Sequence, residues 1–389
     1  MCLIFQNVHS AQYSKVLMGL CEFLEDFLSG EEEAVTKYVE PLIITMFSSS
    51  PLPPSVLTFA SVQLLPIIRN ALYDTNLERS VVTAIAVAHV LAYRVPLQAI
   101  KDVIERTYSV LRSAYERCGD IVAIFLAEAA MHKALLNSNI RGKPVAESLF
   151  REAFDLLKSL EDGSEGYYKS LAKLYAMRAD MEIKTGSLRR ALSLIKRGLD
   201  AAGRANAIKV EIVLYERLVR AYRLMDKEEE ARKIIDKLIE SIEEAYPKKP
   251  APIINMLSFL YLYTGDERIY EAIEEDLKEI MMPPTPVLTL VNVYRKVLEN
   301  REEGMRVLGD ISKRSDPITS ILARILMARV DVNVERVTMT LSRAIDTALR
   351  IGNAELALLA VREGEKKGVP KKDLETRRRK IREALKEGY

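Results

Sequence analysis

Apolar positions in the middle of the chain recur every three or four residues, in runs long enough for helices and too regular to be loops. Tyr215, Leu218, Val219 and Tyr222 line one helical face, and past Asp226 the residues Ala231, Ile234, Ile235, Leu238, Ile239 and Ile242 line another. Forty residues upstream Tyr175 and Ala179 stand where Tyr215 and Val219 stand, and Ala191, Leu192, Ile195 and Leu199 repeat the second run. Ile254, Leu257, Ser258 and Tyr261 repeat the first run a third time, starting 39 residues beyond Tyr215 and ending in the turn Thr264-Gly265-Asp266. A pair of amphipathic helices cannot bury both faces alone, so this spacing predicts helix pairs stacked on one another.

The rest of the pattern agrees. Alternating apolar runs and hairpin turns are scarce, which argues against strands. Helices are expected near residues 12–29, 31–48, 54–73, 76–94 and 96–118, broken most clearly at Ser48–Pro54, and these five are more apolar than the helices expected later in the chain. Local chemistry marks several helix starts: Asp226 three residues before Glu229, Asn300 three before Glu303, and Asp316 before Pro317. The expected organisation is an apolar helical region over 1–118, repeats over 119–369, and a basic capping helix over 370–389.

With these residues in place, the stretch from about 168 to 285 resembles the tetratricopeptide repeat, whose first helix carries a large residue, a Leu and small pair and then Tyr, and whose second carries a small residue at the helix crossing. A weaker fourth match runs through Leu341, Ala344, Ile345 and Ala348 to Gly352, Ala357 and Pro370. The spacing of 40 and 39 residues exceeds the family's roughly 34. A HEAT-like or other helical-pair solenoid fits it equally. The fold expected is all-α: a tetratricopeptide-like α-solenoid of antiparallel helix pairs with a more apolar N-terminal helical region.

Composition narrows the function classes. Lys and Arg total 57 against 55 acidic residues, without the basic excess of a general nucleic-acid binder. The charge is uneven, however: residues 1–115 hold 8 basic and 11 acidic side chains, and residues 353–389 hold 11 and 7. Cys2, Cys21 and Cys118 form neither a disulfide framework nor a zinc knuckle, and the start lacks the features of a secretory leader, so a cytoplasmic location is expected. Residues 81–93 are too few to span a bilayer and read as a buried helix; no membrane contact is expected. Four Gln against 29% charged residues is the balance expected of a thermophilic source.

The resemblance implies that the first helices of the pairs line a concave groove, and in this register Lys173, Asp180, Lys184, Glu216, Arg220, Arg223, Asn255, Phe259 and Tyr263 face a bound partner segment. Phe259 and Tyr263, four residues apart, share a face beside arginines able to pair carboxylates; the opposing expectation makes the rings core and the arginines a solvated face. The recurrent Lys and Asn of the family's carboxylate clamp are not reproduced. Arg377, Arg378, Arg379 and Lys380 are candidate polyanion contacts, although four consecutive residues spread around a helix whose stripe of Leu374, Ile381 and Leu385 suits a cap. His9, His89 and His132 lack metal-ligand spacing, and no phosphate-binding glycine loop occurs, so neither metal nor cofactor is expected. The expected function is a non-catalytic protein-binding scaffold, with an RNA- or ribosome-associated protein as the alternative. The apolar stretches 41–68 and 80–94 are the candidate contact between two copies.

Overall fold

The computed structural model describes residues 72–73, 84–85, 87–88 and 100–387, apart from 161–162, 164, 247–248, 250, 280–284 and 315. Among them lie 16 helices and no strand, and the chain is an all-α helical-repeat solenoid in which neighbouring helices pack as pairs. In chain order they are α1 Lys101–Cys118, α2 Ala123–Leu136, α3 Lys143–Ser159, α4 Glu165–Lys184, α5 Leu188–Arg204, α6 Ile208–Leu224, α7 Glu228–Ala245 and α8 Ala251–Thr264. Then come α9 Glu267–Glu271, α10 Glu274–Glu279, α11 Pro286–Glu299, α12 Arg301–Arg314, α13 Pro317–Val330, α14 Val334–Arg350, α15 Ala354–Lys366 and α16 Lys371–Glu387. The helix expected over 96–118 is α1. Those expected over 12–29, 31–48, 54–73 and 76–94, and with them the contact between copies, lie outside the described residues but for a few positions. Of those, Ala84, Ile85, Val87 and Ala88 are buried. No helix among the described residues is long and apolar enough to cross a membrane.

The chain divides into two compact units. One comprises Val145–Leu174, Asp200–Ala207 and the described residues up to Leu136; the other comprises Asn137–Pro144, Tyr175–Leu199 and Ile208–Tyr389. In the first unit α1 folds back on α2 through the 3-10 turn Gly119–Val122. Helix α2 is buried nearly all round, as its continuous run of Ala, Leu and Phe dictates. It carries the buried Glu128, whose charge Lys173 neutralises at 3.1 Å. Tyr108 of α1 donates to Glu152 at 2.8 Å, and burial together with that carboxylate pushes its phenol up to about 12.

In the second unit, five helix pairs succeed one another from residue 208 onward: α6 with α7, α8 with the short α9 and α10, α11 with α12, α13 with α14, and α15 with α16. The first members touch in sequence, α6 to α8, α8 to α11, α11 to α13 and α13 to α15. Helix α15 then touches α6, so the row of inner helices closes on itself. Their composition favours this, because the inner helices bury much of their circumference: in α8, Leu257, Leu260, Tyr261, Leu262 and Tyr263 are all fully buried. Each such side chain contributes about 2 kcal/mol by leaving water. The second members keep one apolar stripe and turn charge outward. The fourth sequence match is thus out of phase, for its opening helix, with Leu341, Ala344, Ile345 and Ala348, is the outer α14, and the following α15 is the inner one.

The turns also follow local chemistry, with one difference. Asp316 accepts from the amides of Ile318 and Thr319 ahead of Pro317, and Asn300 accepts from Glu303, as the spacing predicts. Asp226, read as a helix start, instead closes α6. It stands in the left-handed region at φ 64°, and the Lys227 amide donates back to the Tyr222 carbonyl at 3.0 Å. Gly186 and Asn206 hold the same left-handed position at earlier turns, each twenty residues from the next, which sets the forty-residue period.

Within the pair α11–α12, Gly304 is placed by close approach. A Cβ there would meet the Cα of Val297 at 2.6 Å, so the helix backbones cross where no side chain fits. Alanine favours a helix over glycine by about 1 kcal/mol, yet Gly304→Ala is expected to lower the thermal midpoint by a few degrees, because the helices must part. Circular-dichroism melting reads this; a raised midpoint would show that the crossing tolerates a methyl group.

Candidate functional site

Five of the nine groove residues, Asp180, Glu216, Arg220, Phe259 and Tyr263, converge, but into the interior of the second unit. Arg220, at the centre of α6, is buried, and its guanidinium is satisfied on every side. Nε and Nη2 donate to the two carboxylate oxygens of Glu355, each at 2.7 Å, while Nη1 donates to Asp180 at 2.8 Å and to Glu216 at 3.1 Å. Glu355 belongs to α15, 135 residues away, so the forked pair fixes α15 against α6 in both height and rotation. Lys184 reaches Asp180 at 2.7 Å and Arg217 reaches Glu216 at 2.9 Å, which balances the three carboxylates with three cations.

A second cluster joins it at the end of α8. The last carbonyls of a helix lack partners and carry partial negative charge. Here Arg329 of α13 donates to the carbonyls of Leu262 and Tyr263 and to Glu363 of α15 at 2.8 Å, and Arg223 donates to the carbonyl of Thr264 at 2.9 Å. Phe259 and Tyr263 share a face as their spacing predicts, with ring centres 5.8 Å apart and the Arg220 guanidinium 5.8 Å from the Phe259 ring. Tyr263 is wholly buried, so the rings are core on that side, and Arg220 is no solvated residue. Asn255 is occupied by an acceptor role toward Thr285 Oγ1 at 2.6 Å, at the start of α11. The division of the chain runs through α4, with Lys173 in the first unit on Glu128 and Asp180 and Lys184 in the second. A partner lying on the inner face of α6 would have to displace α15.

Open surface begins at the turns. Two clefts, of about 550 and 500 Å³, adjoin through Arg223 and Glu228, which form an ion pair. The first is flanked by Asp226, Arg362, Glu365, Lys366 and Arg378, and the second by Arg232, Asp266, Glu267 and Arg268. Lys366 reaches Glu228 at 2.9 Å and Arg362 reaches Asp226 at 3.3 Å. Of the nine residues expected in the groove, Arg223 is the one that lines these clefts. Of the four candidate polyanion contacts, Arg377 and Lys380 approach Asp346 at 3.7 and 3.4 Å, Arg378 pairs with Glu365, and Arg379 lies 3.8 Å from Glu383 of its own helix. Leu374 and Ile381 of α16 are buried and Leu385 packs beside them, the apolar stripe read from the sequence.

Glu355, Glu363 and Arg329 escape a reading of local spacing because their partners are distant in the chain. A signal existed: each is a charge inside an otherwise apolar helix, where an unpaired ion is too costly to keep. Among the described residues no group of three or more His, Cys, Asp or Glu side chains is placed to hold a metal, and His132 instead lies with Nε2 3.1 Å from the Ala88 carbonyl. No protein-family model matches the chain, and no curated protein matches its sequence.

The buried ions set a pH profile. Burial opposes the charge of Asp180, but Lys184, Arg220 and Arg217 outweigh it and hold the carboxyl well below the usual range; Arg329 does the same, more mildly, for Glu363. A depressed folded pKa contributes stability in full above the unfolded value, near 4, and loses it as the pH falls. Burial pushes Tyr261 up to about 12 and Tyr263 well above 10, so their contribution is full below about 10 and is lost above it. Urea midpoints should therefore be level from about pH 5 to 9 and fall on either side, and Glu355→Ala, which strands Arg220, should cost about 3–5 kcal/mol at pH 7. A loss under about 1 kcal/mol would mean that Arg220 finds water.

Proposed function

We propose that the protein is a non-catalytic, cytoplasmic interaction module that holds a segment of a partner protein. The observation that supports this is the double cleft around Arg223 and Glu228, where carboxylates and cations from α6, α7, α15 and α16, and from the turn between α8 and α9, stand at the edge of a rigid helical stack. Charges of both signs on a fixed frame suit an extended segment that carries both, because its own ions exchange with pairs already present. The inner face expected to serve this purpose is covered by α15, so the reading moves the contact from the groove to the edge. The buried carboxylates Asp180, Glu216 and Glu355 are held by Arg220, which suits a frame for binding. An adaptor needs such a frame, as rigidity reduces the entropy lost on association.

The test uses two exposed cations, one from each cleft. The double variant Arg232→Glu and Lys366→Glu should melt close to the parent, since surface ion pairs are worth at most about 1 kcal/mol. In affinity purification from the native host under nuclease, the parent should retain a defined protein in stoichiometric amount, and the variant should lose it. Retention of the same protein by both would remove the clefts as the binding site.

A further inference from the structure

On the outer side of the second unit, away from the double cleft's ion pairs, cations outnumber acids. Arg343, Asp346 and Arg350 stand at spacings of three and four residues on α14 and therefore share one face, with about 10 Å between the two arginines along the axis. Both arginines are exposed, and among the described residues neither takes part in an ion pair. Helix α16 packs beside α14 and adds Arg377 and Lys380, which both turn toward Asp346. From the other side, α13 supplies Arg324. Its guanidinium is held by Ser320 Oγ at 2.7 Å and by the Ser312 carbonyl at 2.9 Å, and burial followed by the repulsion of Arg343 and Arg350 lowers its pKa. Five cations from three helices thus gather here, against Asp346, which pairs with two of them, and Asp373, one turn before Arg377 on α16. Elsewhere in this unit some exposed arginines carry carboxylate partners, Arg268 with Asp236 and Asp266, Arg295 with Glu267 and Arg336 with Asp331, and others such as Arg197 and Arg306 stand singly; this face differs in gathering its cations from three adjoining helices.

We infer that this face of α13, α14 and α16, with Arg324, Arg343, Arg350, Arg377 and Lys380 around Asp346, is a docking surface for single-stranded RNA. Planar guanidinium forks match phosphate oxygens, and a patch of this width accepts two or three consecutive phosphates of a flexible strand. Asp346 decides between RNA and an acidic peptide. A carboxylate only accepts hydrogen bonds, and an acidic peptide side chain would meet it as a like charge. RNA brings phosphates for the arginines together with 2′-hydroxyl and base amino donors for Asp346. The surface is separate from the double cleft, so it stands or falls independently of the protein partner proposed there. It also revises the candidate contacts on α16: Arg377 and Lys380 belong to the patch, whereas Arg378 is taken by Glu365 and Arg379 by its own helix.

The test is fluorescence anisotropy of the full chain with a labelled single-stranded RNA of mixed sequence, titrated from 50 to 300 mM salt. Binding is expected at low salt, with a log–log slope of about −2 for some three phosphates. Arg343→Glu with Arg350→Glu removes two exposed, unpaired charges and should keep the parent melting curve. It should weaken RNA at least about tenfold and flatten the slope by about one. Lys233→Glu with Lys237→Glu on the exposed face of α7 makes the same change of charge elsewhere and should leave binding within about twofold. Single-stranded DNA of the same sequence and polyglutamate are the competitors, and both should compete worse than RNA. Equal loss of binding in the two charge-reversed variants, RNA binding unchanged by the Arg343 and Arg350 reversal, equal competition by DNA or by polyglutamate, or no RNA bound at 50 mM salt would each overturn the assignment.

Discussion

An arginine inside a helical stack must bring carboxylates with it, and Arg220 brings three. Its position on α6 is fixed by the helix, its charge persists at any pH a protein meets, and it is almost wholly removed from water, so Asp180, Glu216 and Glu355 have to converge on one guanidinium. Glu216 is local, one turn away on α6, and Asp180 lies one repeat back. Glu355 is the last inner helix of the chain reaching the first of the five pairs. Net stabilisation from such a cluster is small, since desolvation offsets much of the attraction. What it supplies is specificity. The apolar faces of α6 and α15 would tolerate sliding, and the two-point fork between Arg220 and Glu355 permits a single register.

Closure changes what the repeats offer. An open stack of helix pairs presents the inner helices as one continuous binding surface, whereas here those helices bury one another and arginines stitch them: the buried Arg220 to α15, and the half-buried Arg329 and Arg223 to the end of α8. Surfaces left for partners are the turns at the helix ends and the outward faces of the second helices. These two carry different chemistry, balanced ion pairs at the turns and an excess of cations on α14 and α16, to which Arg324 of α13 adds. A single frame thus presents two chemically distinct faces, without any movement of its inner helices.

Much of the architecture is legible in the sequence because it depends on residues near one another. The forty-residue period, the pairing of helices, the caps at Asp316 and Asn300 and the apolar stripe of α16 all derive from spacing within a few turns. Asp226 misleads because the same residue type serves a helix start and a left-handed helix end, and only the backbone dihedral distinguishes them. Of the nine groove residues, Asp180, Glu216, Arg220, Phe259 and Tyr263 meet on one side of their helices. Sequence periodicity has no means of telling that a helix 135 residues further on covers them. The uniformly apolar stretch of α15, interrupted by Glu355 and Glu363, holds that information in its composition, and the phase error in the fourth repeat conceals it.

Closure by α15 is tested most directly by ending the chain at Asn353 and following amide hydrogen exchange in α6. In a closed row of inner helices, removing α15 and α16 uncovers Arg220 and the apolar face of α6, so amides from Ile208 to Leu224 should lose protection by orders of magnitude although the deletion lies more than a hundred residues away. In an open stack the deletion would loosen α13 and α14 alone. Full protection of α6 in the shortened chain would contradict the account.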